Sequence, residues 1–447
     1  MKRIQRVNLI DGPILPSLLS FAFPILLSNI FQQLYNTSDV MIVGRFLGQK
    51  SLAAVGATSA IFDLIVGFAV GVGNGMGIVI ARSYGAKNEN KLRKSVAATT
   101  IIGGILSLLV ILIGVFGLYP LLQFLGTPSG ILNQSYLYIS TIVNGVAVTF
   151  AYNLCAGLLR AIGDSLAALY FLIIAAILNI LLDLFFITHL HLGVQSAGIA
   201  TIIAQSTSAI LCFLYILKKV PFLVPKSKDF VWDQRLYQDL ISQGLTMGLM
   251  SSIVSIGTVI LQSAINKLGM TIISAQISAR RIMSFALLPM GAISTSMTTF
   301  TSQNFGAKKF RRIQKGVKQA CFLSLIWSIF VAVSLFFTSP FLTSLISGST
   351  NPDLIANASL YLQISSCFYP VLGCLLILGN SLQGMGHKLT PLISSFIELT
   401  GKILFVIFVI PHTGYIGVIL CEPLIWVPMT LQLWFTYHKA SQKLLAP

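Results

Sequence analysis

The sequence predicts an all-α membrane protein, with twelve transmembrane helices in two pseudo-symmetric six-helix lobes. Three observations predict it. Hydrophobic residues make up 55% of the 447-residue chain, charged residues 9%, and the mean hydropathy is +0.86, which leaves too little polar surface for a soluble protein of this length. Apolar runs of about 20 residues, the length a helix needs to cross a bilayer, recur between charge clusters and Gly/Pro breaks. The first half of the sequence also returns in the second at a nearly constant offset. Runs this long and continuous exclude a β-barrel, whose strands alternate over roughly ten residues.

The spans centre near Leu26, Val66, Leu108, Val146, Ile177, Thr207, Val254, Leu288, Ile329, Leu372, Ile403 and Ile425. The opening MKRIQRVNLIDGP leads into span 1 without a cleavage pattern, so the first span is expected to stay in the mature chain. Pro24 removes a backbone hydrogen bond and lets span 1 bend, which marks a hinge. The stretch SNIFQQLYNTSDVMIVG then places Ser28, Gln32, Tyr35, Asn36 and Asp39 on one helix face. A carboxylate inside a span is costly, so it faces a cavity or a partner and marks a pathway. Span 2 carries GFAVGVGNGMG, which permits close helix contact or flexing, and Asp63, which suits the cavity or its outer mouth.

Span 4 holds Asn153, and span 5 presents Asn179 and Asp183 at i and i+4 on one face. Span 6 adds Thr201, Gln205 and Ser208 at helical spacing, although a threonine also bonds its own helix backbone. In span 11, Glu398 and Lys402 at i and i+4 form an ion pair; in span 12, Glu422 before Pro423 is a candidate for substrate contact. Arg280 and Arg281 suit anchoring a helix or pairing with an acid.

The repeat is explicit. LGQKSLAAVGATSA (47–60) aligns with LGMTIISAQISARR (268–281), and YGAKNENKLRKSV (84–96) with FGAKKFRRIQKGV (305–317), both at an offset of 221 residues. LLRAIGD (158–164) aligns with SLQGMGH (381–387) at 223. Six helices per copy is an even number, so the lobes share one orientation and their pseudo-two-fold axis follows the membrane normal. The expected division is an N-lobe over 1–217, a charged, proline-containing linker over 218–240, and a C-lobe over 241–447.

With the N-terminus in the cytoplasm, 23 of the 29 Lys and Arg fall on inside segments, a bias that places both termini there. The formal net charge of +17 then reports topology and contact with anionic lipid, and no nucleic-acid partner is expected. The six cysteines are scattered through apolar spans without CxxC spacing and read as small buried hydrophobes. HExxH, Walker and nucleophile-elbow motifs are missing from the sequence, the histidines lie near span ends, and GVGNG sits in an apolar helix with no preceding strand. We therefore expect a non-enzyme without a cofactor. Two parallel lobes around a cleft suit a secondary transporter that rocks between two openings.

Taken jointly, FPILLSNIFQQLYNTSDVMIVGRFLG, YGAKN, FGAKK, LLRAIGD and LNILLDLFFI resemble the multidrug and toxic compound extrusion (MATE) transporters, and within them the DinF-like branch, over nearly the whole chain. The resemblance implies a MATE-type fold and a monomer in the cell membrane. It also implies export of amphipathic, often cationic, organic small molecules in exchange for H⁺ or Na⁺. The DinF-like pattern gathers a span 1 aspartate, a span 5 asparagine and aspartate, and a span 6 threonine. All four positions match here, as Asp39, Asn179, Asp183 and Thr201, and their oxygens serve Na⁺ as well as a proton. Gln32, Tyr35, Asn36, Asn153, Asp63 and Glu422 are the candidates for the substrate cavity.

The repeat supplies a control that needs no relatives. At the offsets above, Asp39 corresponds to Ile260, and Asn179 and Asp183 to Lys402 and Val406. Acids required by the six-helix fold would appear in both copies, so their restriction to one copy points to ion chemistry. Two competing readings are a flippase for lipid-linked precursors, which extra spans and a more basic cavity would favour, and a membrane scaffold, which would need no acid cluster.

Overall fold

The computed structural model describes residues 6–445, and all regular structure among them is helical. In chain order the helices are α1 (Ile14–Gly85), α2 (Glu89–Phe124), α3 (Ser129–Asn144), α4 (Val146–Ala161), α5 (Ser165–Thr188), α6 (Gln195–Lys219), α7 (Gln234–Asn266), α8 (Met270–Gly306) and α9 (Phe310–Ser347). They continue with α10 (Pro352–Cys367), α11 (Tyr369–Gly384), α12 (Leu389–Leu404), a π-helical turn (Phe405–Val409), α13 (Ile410–Thr413) and α14 (Tyr415–Leu445).

Among the described residues, nine helices are long and apolar enough to span a bilayer, and two bent pairs supply one span each. The 72 residues of α1 would extend about 108 Å at 1.5 Å per residue, far beyond a hydrocarbon core of about 30 Å. Helical geometry breaks at Gly48 (φ 80°, ψ −179°), a conformation that only glycine adopts readily, so α1 carries spans 1 and 2. Twelve spans result, as the apolar runs predict.

Spans 4 and 10, read from sequence as continuous, are each broken in the middle. α3 and α4 meet at Gly145 with a 45° bend, and α10 and α11 meet at Phe368 with a 54° bend. The causes differ. At Gly145 the Ile202 side chain fills the space a Cβ would take, whereas the first turn of α11 holds Pro370, which lacks the N–H that would continue the ladder.

The repeat is visible in the backbone. Gly48 (φ 80°) recurs as Gly269 (φ 95°), Lys87 (φ 54°) as Lys308 (φ 57°), and Gly163 (φ 88°) as Gly386 (φ 93°). The turns close alike: Lys87 N donates to Tyr84 O at 2.9 Å and Lys308 N to Phe305 O at 3.0 Å. Asp164 N and His387 N donate to Leu159 O and Leu382 O, each at 2.9 Å.

Two compact units form. The first contains residues 6–7 and Leu27–Ser252, including the linker that follows α6. Its GFAVGVGNGMG segment shows why glycine recurs every second residue: Gly71 and Gly75 abut the α7 backbone at Met247 and Gln243, while Gly73 and Gly77 abut α4 at Asn153 and Gly157. In lipid, apolar burial does not drive helices together, so close approach through small residues does much of that work. Leu118, Leu122, Ile139, Ile142, Val143, Ile187 and Val194 pack into one apolar cluster of this unit.

The second unit contains Asn8–Leu26 and the chain from Ile253 onward. The segment before α1 is tied to α8 and α9: Leu9 O accepts from Asn304 Nδ2 at 3.0 Å and from Arg312 Nη2 at 3.2 Å, and Asp11 pairs with Lys309. Pro24, the expected hinge, is buried inside α1, and the helix passes from the second unit to the first between Leu26 and Leu27.

Candidate functional site

The polar stripe of α1 divides by depth. Gln32 and Asn36 are exposed, Asp39 is half-buried, and the Tyr35 hydroxyl is buried beside Asp39 and Thr201. Facing it from α5, Asn179 and Asp183 are each 0% exposed, and from α6 Thr201 is buried. With the amide nitrogen toward the acid, Asn179 Nδ2 donates to Asp39 Oδ1 at 2.6 Å and its Oδ1 accepts from Thr201 N–H at 3.3 Å. The Thr201 hydroxyl donates to Ala197 O at 2.8 Å. Thr201 thus bonds its own helix and also holds the amide in this orientation. The four residues marked by the sequence are therefore brought together, on three helices.

Asp183 is the most demanding member. Both its carboxyl oxygens are buried, and no N–H or O–H donor reaches them among the described residues. Its direct neighbour is the Asp39 carboxyl, and two carboxyls hydrogen-bond to each other only when one carries a proton. No Lys or Arg pairs with either acid among the described residues. Two adjacent ionised carboxylates in such a place would carry a large desolvation and repulsion cost. With two carboxyls and no basic partner among the described residues, the cluster is short of positive charge, part of which a proton or a small cation can supply. Tyr138 of α3, missed in the sequence because SYLYIS carries no polar periodicity, is buried and lies within electrostatic reach of Asp39, Asp183 and Asp63.

The remaining candidates do not join this cluster. Asp63 is exposed on α1. Asn153 is buried and donates from Nδ2 to Thr149 O at 2.8 Å on its own helix, while the Thr149 hydroxyl reaches Gln205 Oε1 at 2.6 Å. Glu422 belongs to the second unit, where its Oε1 pairs with Arg280 at 2.8 Å and with Lys402 at 3.2 Å. Lys402 also bonds Glu398 Oε1 at 2.7 Å, so the i, i+4 pair read in span 11 is one edge of a larger network. The Lys402 side chain is 2% exposed and that of Glu422 10%, which makes this network part of the interior.

Duplicated six-helix repeats with helices long and apolar enough to span a bilayer define a multi-pass membrane protein. The family model described as MatE matches residues 24–185 and 247–408, the two copies of the repeat, and the chain belongs to the MatE family. It is 26% identical over 399 residues to the "Probable multidrug resistance protein YoeA" of Bacillus subtilis (strain 168), covering 88% of this chain and 86% of that protein. It is 26% identical over 390 residues to the "Probable multidrug resistance protein YpnP" of the same organism, covering 87% and 86%. The solved structure "Crystal structure of MATE in the bent conformation" superposes with a TM-score of 0.89 at 21% identity, over 98% of this chain and 99% of that one; this likeness shows a common fold.

Proposed function

We propose that the chain is a secondary multidrug efflux antiporter of the cell membrane. It exports amphipathic, often cationic, organic compounds in exchange for protons by alternating access, with both termini in the cytoplasm and the monomer as the working unit. The relatives named as probable multidrug resistance proteins support drug efflux. The observation that carries the coupling is the buried Asp183 carboxyl, which has no donor among the described residues and lies against Asp39.

A proton entering this pair removes one charge and creates a carboxyl-to-carboxylate hydrogen bond. Its loss restores the repulsion and changes how the α1 stripe packs against α5 and α6. The ion drives the cycle through its different affinity for the two openings of the transporter. The Asn179 amide can turn either its N–H or its oxygen toward Asp39, so the choice of H⁺ over Na⁺ rests on the gradient test. The test is drug uptake into everted vesicles under an imposed proton or sodium gradient. Asp183→Asn keeps the shape and loses the titration, so it is expected to abolish gradient-driven uptake at matched membrane expression. Uptake equal to the unaltered protein in that variant would refute the coupling site, and a response to sodium alone would replace the proton with Na⁺.

A further inference from the structure

Both units build the same place in the repeat and fill it differently. In the first unit, Asn179 of α5 reaches across to Asp39 on α1. The residue 223 positions later is Lys402 of α12, and it lies against α7, where a Cβ added to Gly257 would sit 3.1 Å from the Lys402 Cδ. Gly257 follows Asn36 by 221 positions, so the α7 surface that Lys402 touches matches the α1 stripe one turn before Asp39. Tyr138 borders the first cluster; Tyr361, 223 positions on, borders the second through Arg280 and Glu422.

The charges differ at this shared place. The first cluster has the carboxyls of Asp39 and Asp183 and no basic partner among the described residues. The second has those of Glu398 and Glu422 with the ammonium of Lys402 and the guanidinium of Arg280, all within 3.2 Å of a partner. One cluster is short of positive charge and the other is complete.

We infer that Lys402 is the built-in counter-ion of the second unit: its ammonium stands where the first unit leaves room for an exchangeable cation, and it restricts coupling to one ionic site per chain. The inference rests on the coupling role proposed for the Asp39 cluster. The groups facing Lys402 and its acids are Glu398 on its own helix, Glu422 and Cys421 on α14, Arg280 on α8, Tyr361 on α10 and Tyr369 on α11, while α7 contributes Gly257. If the ammonium is removed, the buried Glu422 and the partly buried Glu398 are left with a single guanidinium, which pairs with Glu422. The surplus negative charge then has to be cancelled by a proton or a small cation, which opens a second ion-responsive site. A carboxyl that holds a proton more tightly in the folded state than in the unfolded one makes the folded state gain stability as the pH falls.

The experiment uses the purified full chain carrying Asp39→Asn and Asp183→Asn, so that the first cluster is silent. The melting temperature is followed from neutral to mildly acid pH, and in Na⁺ against choline at equal ionic strength. Adding Lys402→Met is expected to produce a stabilisation, on the order of several degrees, on acidification or in Na⁺ that the parent lacks. Lys402→Arg keeps the charge and retains the parent profile, and Lys402→Met with Glu398→Gln rebalances the network and returns to it. Should Lys402→Met alone fail to fold while the rebalanced variant folds, surplus charge is the cause and the inference stands. It is overturned if Lys402→Met follows the parent profile, if Glu398→Gln does not remove a new dependence, or if both variants fail to fold, since the ammonium would then act by packing alone. Vesicle transport by Asp183→Asn tests the first unit separately, so failure of either reading is seen without the other.

Discussion

The first unit packs two adjacent acids without a basic partner among the described residues, and the second packs two acids with two bases, on backbones that turn at the same places. Gly48 and Gly269, Lys87 and Lys308, and Gly163 and Gly386 match in φ within 15°. The charges at Asn179 and Lys402 do not match at all. A backbone turn depends on one or two residues whose φ is positive, so it survives duplication as a local pattern. A charge cluster depends on side chains from three or four helices and can be rewritten in one copy without disturbing any turn. The duplicated unit therefore carries architecture in common and ion chemistry in one half.

The largest effect expected is at the acids. Asp39→Asn should lose gradient-driven export while folded protein stays in the membrane, because the amide keeps the shape and cannot exchange a proton. Ile260→Asp, at the matching position of the second unit, should not rescue it: the positions of the partner amide and carboxylate are Lys402 and Val406 there. An acid at 260 would stand at the place that faces Lys402, where the ammonium holds it ionised and it cannot exchange a proton, so Ile260→Asp alone should leave transport unchanged or weakened. Restored coupling in the double variant, measured as proton-driven efflux, would mean that either unit can host the site, and the contrast between them would collapse.

A middle-sized effect sharpens the contrast from the other side, where the units are alike. Gly48→Ala and Gly269→Ala each force a side chain into backbone geometry reserved for glycine (φ 80°, ψ −179° and φ 95°, ψ 165°). A Cβ meets no atom within 4 Å at either position, so the cost is conformational and about 1–3 kcal/mol in both. Melting temperatures of the purified variants should fall by similar amounts. A large fall at one position only would show that the two turns are not equivalent in energy, despite equivalent geometry.

Much of this was legible in the sequence, and the exceptions have physical reasons. Hydropathy marks spans because lipid forces long apolar helices, and positive-φ turns leave glycine signatures such as LGQK and LGMT. Asp39 and Asp183 stand out because a carboxylate is costly in a membrane, and Asn179 because it shares a face with Asp183; that these three and Thr201 form one cluster is what the resemblance to the DinF-like pattern implies. The breaks at Gly145 and Phe368 were hidden inside continuous apolar runs, where composition reports depth and not direction. Tyr138 was hidden because a tyrosine in an apolar span looks like core. The Glu398–Lys402 pair was visible at i, i+4, but its link to Glu422 and Arg280 was not, because no sequence spacing tells which faces of α8, α12 and α14 meet.

The smallest effect tests the matched turns themselves. Lys87 and Lys308 hold the left-handed conformation (φ 54° and 57°) that costs a non-glycine residue about 1–2 kcal/mol. Glycine removes that cost but loses more freedom on folding, by roughly 0.5–1 kcal/mol. The two terms nearly cancel, so Lys87→Gly and Lys308→Gly should each leave the melting temperature unchanged or slightly raised. Both lysines follow a helix end of the same form, with the Lys N–H bonded to Tyr84 O or Phe305 O, so the sign and size should agree between them. One difference can separate them: the residue after Lys308 is Lys309, which pairs with Asp11, whereas the residue after Lys87 is Asn88, which caps α2 through Lys91 N–H at 2.9 Å. If added flexibility at the turn loosens these neighbours, the variant at 87 weakens a helix cap and the variant at 308 an exposed ion pair. The cap is worth about 1 kcal/mol and the exposed pair less. Any disagreement should therefore show Lys87→Gly as the less stable of the two; the opposite order would mean that the Asp11 pairing matters more to the second unit than the cap does to the first.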